Sequence, residues 1–214
     1  DDVEEIIRTY GLQRGMHRFK GVMVSGRYIS IDKFRNGTWS DKMKHAYSHV
    51  RLVDCSPLIV EIIKEKTTIS DDEQLRRIVS NIIELAEICK VYDQYRGFMM
   101  YSEILKQYER GQFLNAHLEI NRAVKYLKNL IFDLNKVHYP EEKSYYIGYF
   151  SNLPLQPSGF DEKIHEILQL PYDERHFLQR VHLLVAFSRE VLAFCEEHTE
   201  LPENIYDFYM TSTQ

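Results

Sequence analysis

In "GQFLNAHLEINRAVKYLKNLIFDLN", the positions Phe113, Ala116, His117, Ile120, Ala123, Val124, Leu127, Ile131 and Leu134 recur at intervals of three and four. With 3.6 residues per turn they fall along one side of a helix, so the run needs an apolar partner surface over most of its length. A chain that contains it is constrained to layers of packed helices. Pro140 ends the run. The same period recurs on both sides of it. "SDDE" places Ser70 three residues before Glu73, a capping-box pattern that opens a helix expected to reach about Gly97. Another helix is expected from near Pro157 to Phe160 until Pro171, and a long last one carries Phe177, Val181, Leu184, Val191 and Leu192. The fold class that follows is mainly α, an antiparallel helical bundle.

The first third differs in kind. "FKGVMVSGRYISIDKF" is rich in β-formers and predicts a strand at Val22 to Ser25 and another at Arg27 to Ile31, with Tyr28 and Ser30 facing opposite to Ile29 and Ile31. Asn36 and Gly37 give a turn signal, and Val50 to Val53 is a short apolar piece. After it, Pro57 suits the first turn of a helix that would put Leu58, Ile59, Ile62 and Ile63 on one face. The division expected is a small partial α/β region over residues 1–66 and the helical bundle over residues 67–214.

Composition closes off several classes. A chain of 214 residues with 44% hydrophobic content can fill a real core. No stretch approaches the roughly 18 apolar residues of a membrane span, and the start lacks the order of a signal peptide, so a cytoplasmic protein without a membrane partner is expected. Cys55, Cys89 and Cys195 are far apart and fit neither a disulfide framework nor a zinc site, which leaves free thiols. A net charge of -5 argues against a dedicated nucleic-acid binder. His45 and His49 have the i, i+4 spacing of a metal pair, but no third ligand or HExxH accompanies them, so no metal ligand is assigned. His117 lies on the apolar stripe and reads as a hydrogen-bonded core residue. Arg175 followed by His182 resembles the Arg and His of helical RNA-cleaving bundles, a pattern too short to assign.

Two longer stretches carry a family resemblance. "YISIDKF" followed by "HVRLVDCSPLIVEII" resembles the end of the catalytic domain of the small-substrate nucleotidyltransferases, the superfamily that includes kanamycin nucleotidyltransferase and the streptomycin adenylyltransferases. "ERGQFLNAHLEINRAVKYLKNLIFDLNKVHYPEEK" resembles their helical domain more closely, through an Ala-containing amphipathic helix and the closing pattern of Asn, a basic residue, Tyr, Pro and Lys. The resemblance spans Val22 to Glu197. It implies a bundle that forms a small-molecule cleft beside an NTP site, with nucleotide and a small hydroxylated acceptor as partners and Mg2+ as the ion. "IVSNIIELAE" resembles the first bundle helix of these enzymes, and Glu84 falls on the position of the general base, with a solvated surface glutamate as the plain alternative. Asn135, Tyr139 and Lys143 match the closing pattern and form a second, substrate-binding group, although Asn135 also suits a helix cap.

The chain departs from that family where the chemistry is heaviest. No Gly-Ser turn followed by an Asp-x-Asp pair occurs, and the position for a third carboxylate aligns with Ser25. Asp71 and Asp72, or Glu141 and Glu142, read as solvated charges at a cap and in a turn. Mg2+ and NTP are therefore expected only together with the missing metal-binding half. Two expectations stay open: that half lies upstream of Asp1, or the chain is a divergent, non-catalytic bundle that recognises a nucleotide, a small molecule or a protein partner. A homo-oligomer is compatible with either.

Overall fold

The computed structural model describes residues 15–19, 22–26, 29–48, 56–89, 102–139 and 153–212. Two strands, β1 (Gly15–Phe19) and β2 (Val22–Gly26), pair antiparallel with Gly15 opposite Gly26 and Phe19 opposite Val22. Helices follow: α1 (Ile31–Asn36), α2 (Asp41–Ser48), α3 (Pro57–Thr67), α4 (Asp71–Cys89), α5 (Glu103–Glu109), α6 (Phe113–Leu134), α7 (Phe160–Gln169), α8 (Glu174–His198) and α9 (Ile205–Ser212). The protein is thus mainly helical, an antiparallel bundle preceded by a small partial α/β region.

The stripe on α6 organises the bundle. Ala116, Ile120, Ala123, Leu127 and Ile131 are fully buried, and α6 packs against α4, α5 and α8. Each large apolar side chain so buried contributes about 1.5–3 kcal/mol. The pairing with α4 is antiparallel. Gln74, near the start of α4, donates to the carbonyls of Asp133 and Leu134 at 2.9 and 3.0 Å, while Glu84, further along, meets Arg122 one turn or more earlier on α6. Gln74 thereby satisfies two of the carbonyls that any helix end leaves open. A smaller core lies to one side, where Phe34 and Trp39, tilted with ring centroids 4.7 Å apart, pack with Ile62 and Ile63.

The helix starts follow local chemistry. Ser56 and Ser102 cap α3 and α5, Ser70 accepts from the Glu73 N–H at 3.2 Å, and Asp173 accepts from the His176 N–H at 2.9 Å. Gly159 precedes α7 at φ 69°, a left-handed conformation that costs a glycine little.

The structure corrects several details. Arg27 to Ile31 is not a strand across its described residues: Ser30 accepts from the Lys33 N–H and Ile31 begins α1. A Ser cap and Asp32 in the first turn outweigh an alternating pattern whose Ile29 and Ile31 find no core and stay 44% and 40% exposed. Leu58 on α3 and Phe113 at the head of α6 are likewise exposed rather than buried; each sits in the first turn of its helix, and Phe113 meets the Tyr108 ring of α5 edge-on with centroids 5.3 Å apart. α4 is described as far as Cys89, and the expected end near Gly97, the piece Val50 to Val53, and Pro140 lie outside the described residues.

Candidate functional site: a polar cleft between two helices

Along one side of the α4 and α6 pair, polar residues take over from apolar ones at helical spacing. On α4 the line is Glu73, Arg77 and Asn81; on α6 it is Asn121, Lys125, Asn129 and Asp133. Between them opens a cleft of about 1180 Å3, closed off by Asp41 of α2, Tyr139 after α6, and Leu168 and Tyr172 at the α7–α8 turn. That volume suits a nucleotide-sized ligand.

A relay of hydrogen bonds forms part of the cleft lining. Asn129 Nδ2 donates to Asn81 Oδ1 at 3.2 Å, and Asn81 Nδ2 donates to Asp133 Oδ2 at 2.7 Å and to the Arg77 carbonyl at 3.0 Å. Asn129 Oδ1 is buried without a partner, an acceptor that a ligand hydroxyl would satisfy. Burial pushes the Asp133 carboxyl up to about 7, with Arg77 at 3.9 Å and the Asn81 bond pulling against it and Asp41 and Glu73 adding to it. Asp133 therefore changes charge near neutrality, inside the cleft.

Arg77 is the hub. Its guanidinium donates to Glu73 Oε1 at 2.6 Å, reaches Asp41 at 3.7 Å, and offers an N–H to His138 Nδ1 at 3.4 Å. The buried His138 ring donates in turn from Nε2 to the Thr67 carbonyl at 3.2 Å, and the His138 carbonyl accepts from His45 Nδ1 at 2.5 Å. These bonds fix α2 and the end of α3 to the bundle at the cleft's edge. Besides Arg77, the cationic lining consists of Arg76, paired with Asp72, Arg122, paired with Glu84 and Glu119, and Lys125 and Lys128. Lys125 is exposed and makes no ion pair among the described residues, and burial pulls the Lys128 ammonium below its ordinary value, against the opposing pull of Asp161.

The residues singled out from the sequence are placed as follows. Glu84 is partly buried, and its Oε2 accepts from Arg122 Nη2 at 3.0 Å; Arg122, which lines the cleft, also holds Glu119 at 3.1 Å. Asn135 caps α6: its Nδ2 donates to the Ile131 and Leu155 carbonyls, each at 2.7 Å, and its Oδ1 accepts from the Leu155 N–H at 2.9 Å. Its amide is spent on backbone. Tyr139 lines the cleft and packs edge-on against Phe132, with ring centroids 5.1 Å apart. Lys143 lies outside the described residues, as do His49, Glu141 and Glu142. His45 and His117 are buried, while Arg175 and His182 are exposed on α8. Asp71 and Asp72 sit in the first turn of α4, where Asp71 pairs with Lys136 and Asp72 with Arg76.

No group of three or more His, Cys, Asp or Glu side chains among the described residues is arranged to hold an ion, and the cleft's own carboxylates, Asp41, Glu73 and Asp133, converge on Arg77. No described helix is long and apolar enough to cross a membrane. The cleft residues that local sequence reading misses are Arg77, Asn81, Asn129, Asp133 and Arg122. For all but Arg122 the signal was the i, i+4 spacing of polar side chains beside an apolar stripe. Neither a family model, a curated protein nor a solved structure matches the chain significantly.

Proposed function

We propose that the cleft binds a small polar ligand bearing phosphates and hydroxyls, as the substrate-holding bundle of a nucleotidyltransferase-superfamily protein. The observation that carries this reading is the division of the lining: cations at Arg76, Arg122 and Lys125, and an amide–carboxyl relay through Asn129, Asn81 and Asp133. Phosphate oxygens suit the first, because guanidinium and ammonium groups offer charge-assisted hydrogen bonds. Sugar-like hydroxyls suit the second, since each can donate to one partner and accept from another. The sequence resemblance to kanamycin nucleotidyltransferase supports the same reading and supplies Glu84 as the base. In this proposal Arg122 turns from Glu84 to a ligand phosphate, and the released carboxylate accepts the proton of the attacking hydroxyl.

Calorimetric titration with ATP and, separately, with a panel of aminoglycosides tests the binding half of the proposal. ATP should bind, and Arg122→Ala with Lys125→Ala should weaken it by about tenfold or more, the loss expected from charge-assisted contacts. Equal affinity in the double variant would overturn the reading. The bond from Arg122 to Glu84 also favours a second reading, a non-catalytic binding module, in which Glu84 serves only to orient Arg122. The same titration then gives the same result, and no turnover accompanies it in any assembly.

A further inference from the structure

The largest fully buried side chain in the described structure is that of Arg180, a cation. It sits on the core face of α8 between Phe177, Val181 and Leu184, where helical spacing alone would put an apolar residue. A guanidinium taken out of water is normally matched by a carboxylate. Here its acceptors are all neutral: Nε donates to the Ile167 carbonyl at 2.9 Å, Nη1 to His117 Nδ1 at 2.6 Å, and Nη2 to Asn121 Oδ1 at 3.4 Å. The fourth neighbour is the Tyr172 ring, 4.2 Å from the guanidinium carbon. Among the described residues no carboxylate lies within ion-pair distance of it.

The partners sharpen the point. Arginine has no lone pair to offer, so His117 must accept at Nδ1 and carry its proton on Nε2, a neutral ring with one donor left. Burial first, and Arg180 second, hold the His117 ring below its ordinary pKa and keep it in that state. Asn121 Oδ1 accepts twice, from Arg180 and from the Tyr172 hydroxyl at 3.2 Å, which leaves the amide Nδ2 as its remaining group. Arg180 uses three of its five N–H bonds in these contacts. Every unspent hydrogen-bonding hydrogen in the cluster is thus a donor, around one uncompensated positive charge. Tyr172 covers both the guanidinium and, with ring centroids 5.0 Å apart, the His117 imidazole. It is itself 55% exposed, stands in the short turn between α7 and α8, and lines the cleft together with Asn121.

We propose that Arg180, His117 and Asn121 form a recessed oxyanion site that opens into the cleft when the Tyr172 ring turns outward, and that it takes a phosphate-type group. The inference rests on the cleft reading only in that the recess opens into that cleft; it requires neither nucleotide transfer nor Glu84. A tetrahedral oxyanion supplies the missing counter-charge and several acceptors at once, which a neutral ligand cannot do. Turning Tyr172 out costs its contact with the cation and its bond to Asn121, so the cover sets the affinity of the site.

The test is the response of thermal stability and of the His117 ring nitrogen resonances to inorganic phosphate, with chloride at matched ionic strength as reference. Phosphate should raise the Tm of the protein and shift the His117 Nε2 signal, where chloride does neither. Arg180→Met keeps the volume and removes the charge; it should fold and lose both responses. Tyr172→Ala, a change at an exposed position, should bind phosphate about fivefold more tightly because the cover no longer competes. Retained phosphate response in Arg180→Met, or no His117 shift in either the parent protein or Tyr172→Ala, would overturn the site. If Arg180→Met does not fold, the Tyr172→Ala titration decides alone. Arg122→Ala with Lys125→Ala separates the two proposals: it should weaken ATP binding in the cleft by about tenfold or more while leaving inorganic phosphate binding at Arg180 intact.

Discussion

The Asn81 amide donates to the Asp133 carboxyl across 2.7 Å, and this bond joins the middle of α4 to the last turn of α6 inside the cleft. It is the point where packing and chemistry meet, because the same carboxyl is buried by the helices it joins.

Burial raises Asp133 to about 7, so the folded protein holds a proton that the unfolded chain releases near its ordinary 3.8. The associated stability is fully present below about 3.8 and is lost as pH rises through about 7. Asp133→Asn removes this dependence. Relative to the variant, the parent protein should lose on the order of 2 kcal/mol between pH 5 and pH 8, read from denaturant midpoints at both. A constant difference between the two proteins would show that Asp133 does not titrate in that window.

His138 should act with the opposite sign. Burial, then Arg77 and Lys44, push its imidazole below 6.5, so its contribution is present above that value and lost as pH falls through the lower folded pKa. His138→Gln should flatten the acid limb of the stability profile, read from denaturant midpoints across that limb. An acid limb of unchanged steepness would contradict this.

Leu127 is fully buried on the α6 stripe, and Leu127→Ala should cost about 2–5 kcal/mol. Leu114, the second residue of α6 and 71% exposed, is the control, and Leu114→Ala should stay within about 0.5 kcal/mol. Similar losses at both would mean that α6 is rotated from its described orientation.

Under the proposed function this chain alone should leave labelled ATP intact when mixed with magnesium and aminoglycosides, since it lacks the Gly-Ser and Asp-x-Asp pattern. Steady transfer of label would refute that expectation. Where a catalytic half is supplied, in the same chain or by a partner, Glu84→Gln should reduce kcat by about a hundredfold or more and change nucleotide affinity little. A change confined to nucleotide affinity would instead assign Glu84 to the positioning of Arg122.

The α6 stripe and the Ser70 cap were legible because both signals are local: a period within one helix, or a side chain that meets a backbone N–H three residues on. Ser30 sends the same local signal, but the alternation around it reads as a strand until the absence of a core against Ile29 and Ile31 is known. The cleft was not legible. Asn81 and Asp133 are 52 residues apart, and Glu84 and Arg122 are 38 apart, so each looks like an isolated polar residue until α4 and α6 are laid side by side. Arg180 is hidden more deeply, since a charged residue on a core face looks like an interruption of the pattern.

Asn135 holds Leu155 by both backbone groups, accepting its N–H and donating to its carbonyl. The two bonds act as a clasp that ties the end of α6 to a residue 20 positions further along the chain. Closing a chain segment costs entropy that grows only with the logarithm of its length, so adding or removing residues between the two ends of the clasp changes that cost little. Insertions or deletions between Pro140 and Asn152 should therefore leave the bundle's register untouched.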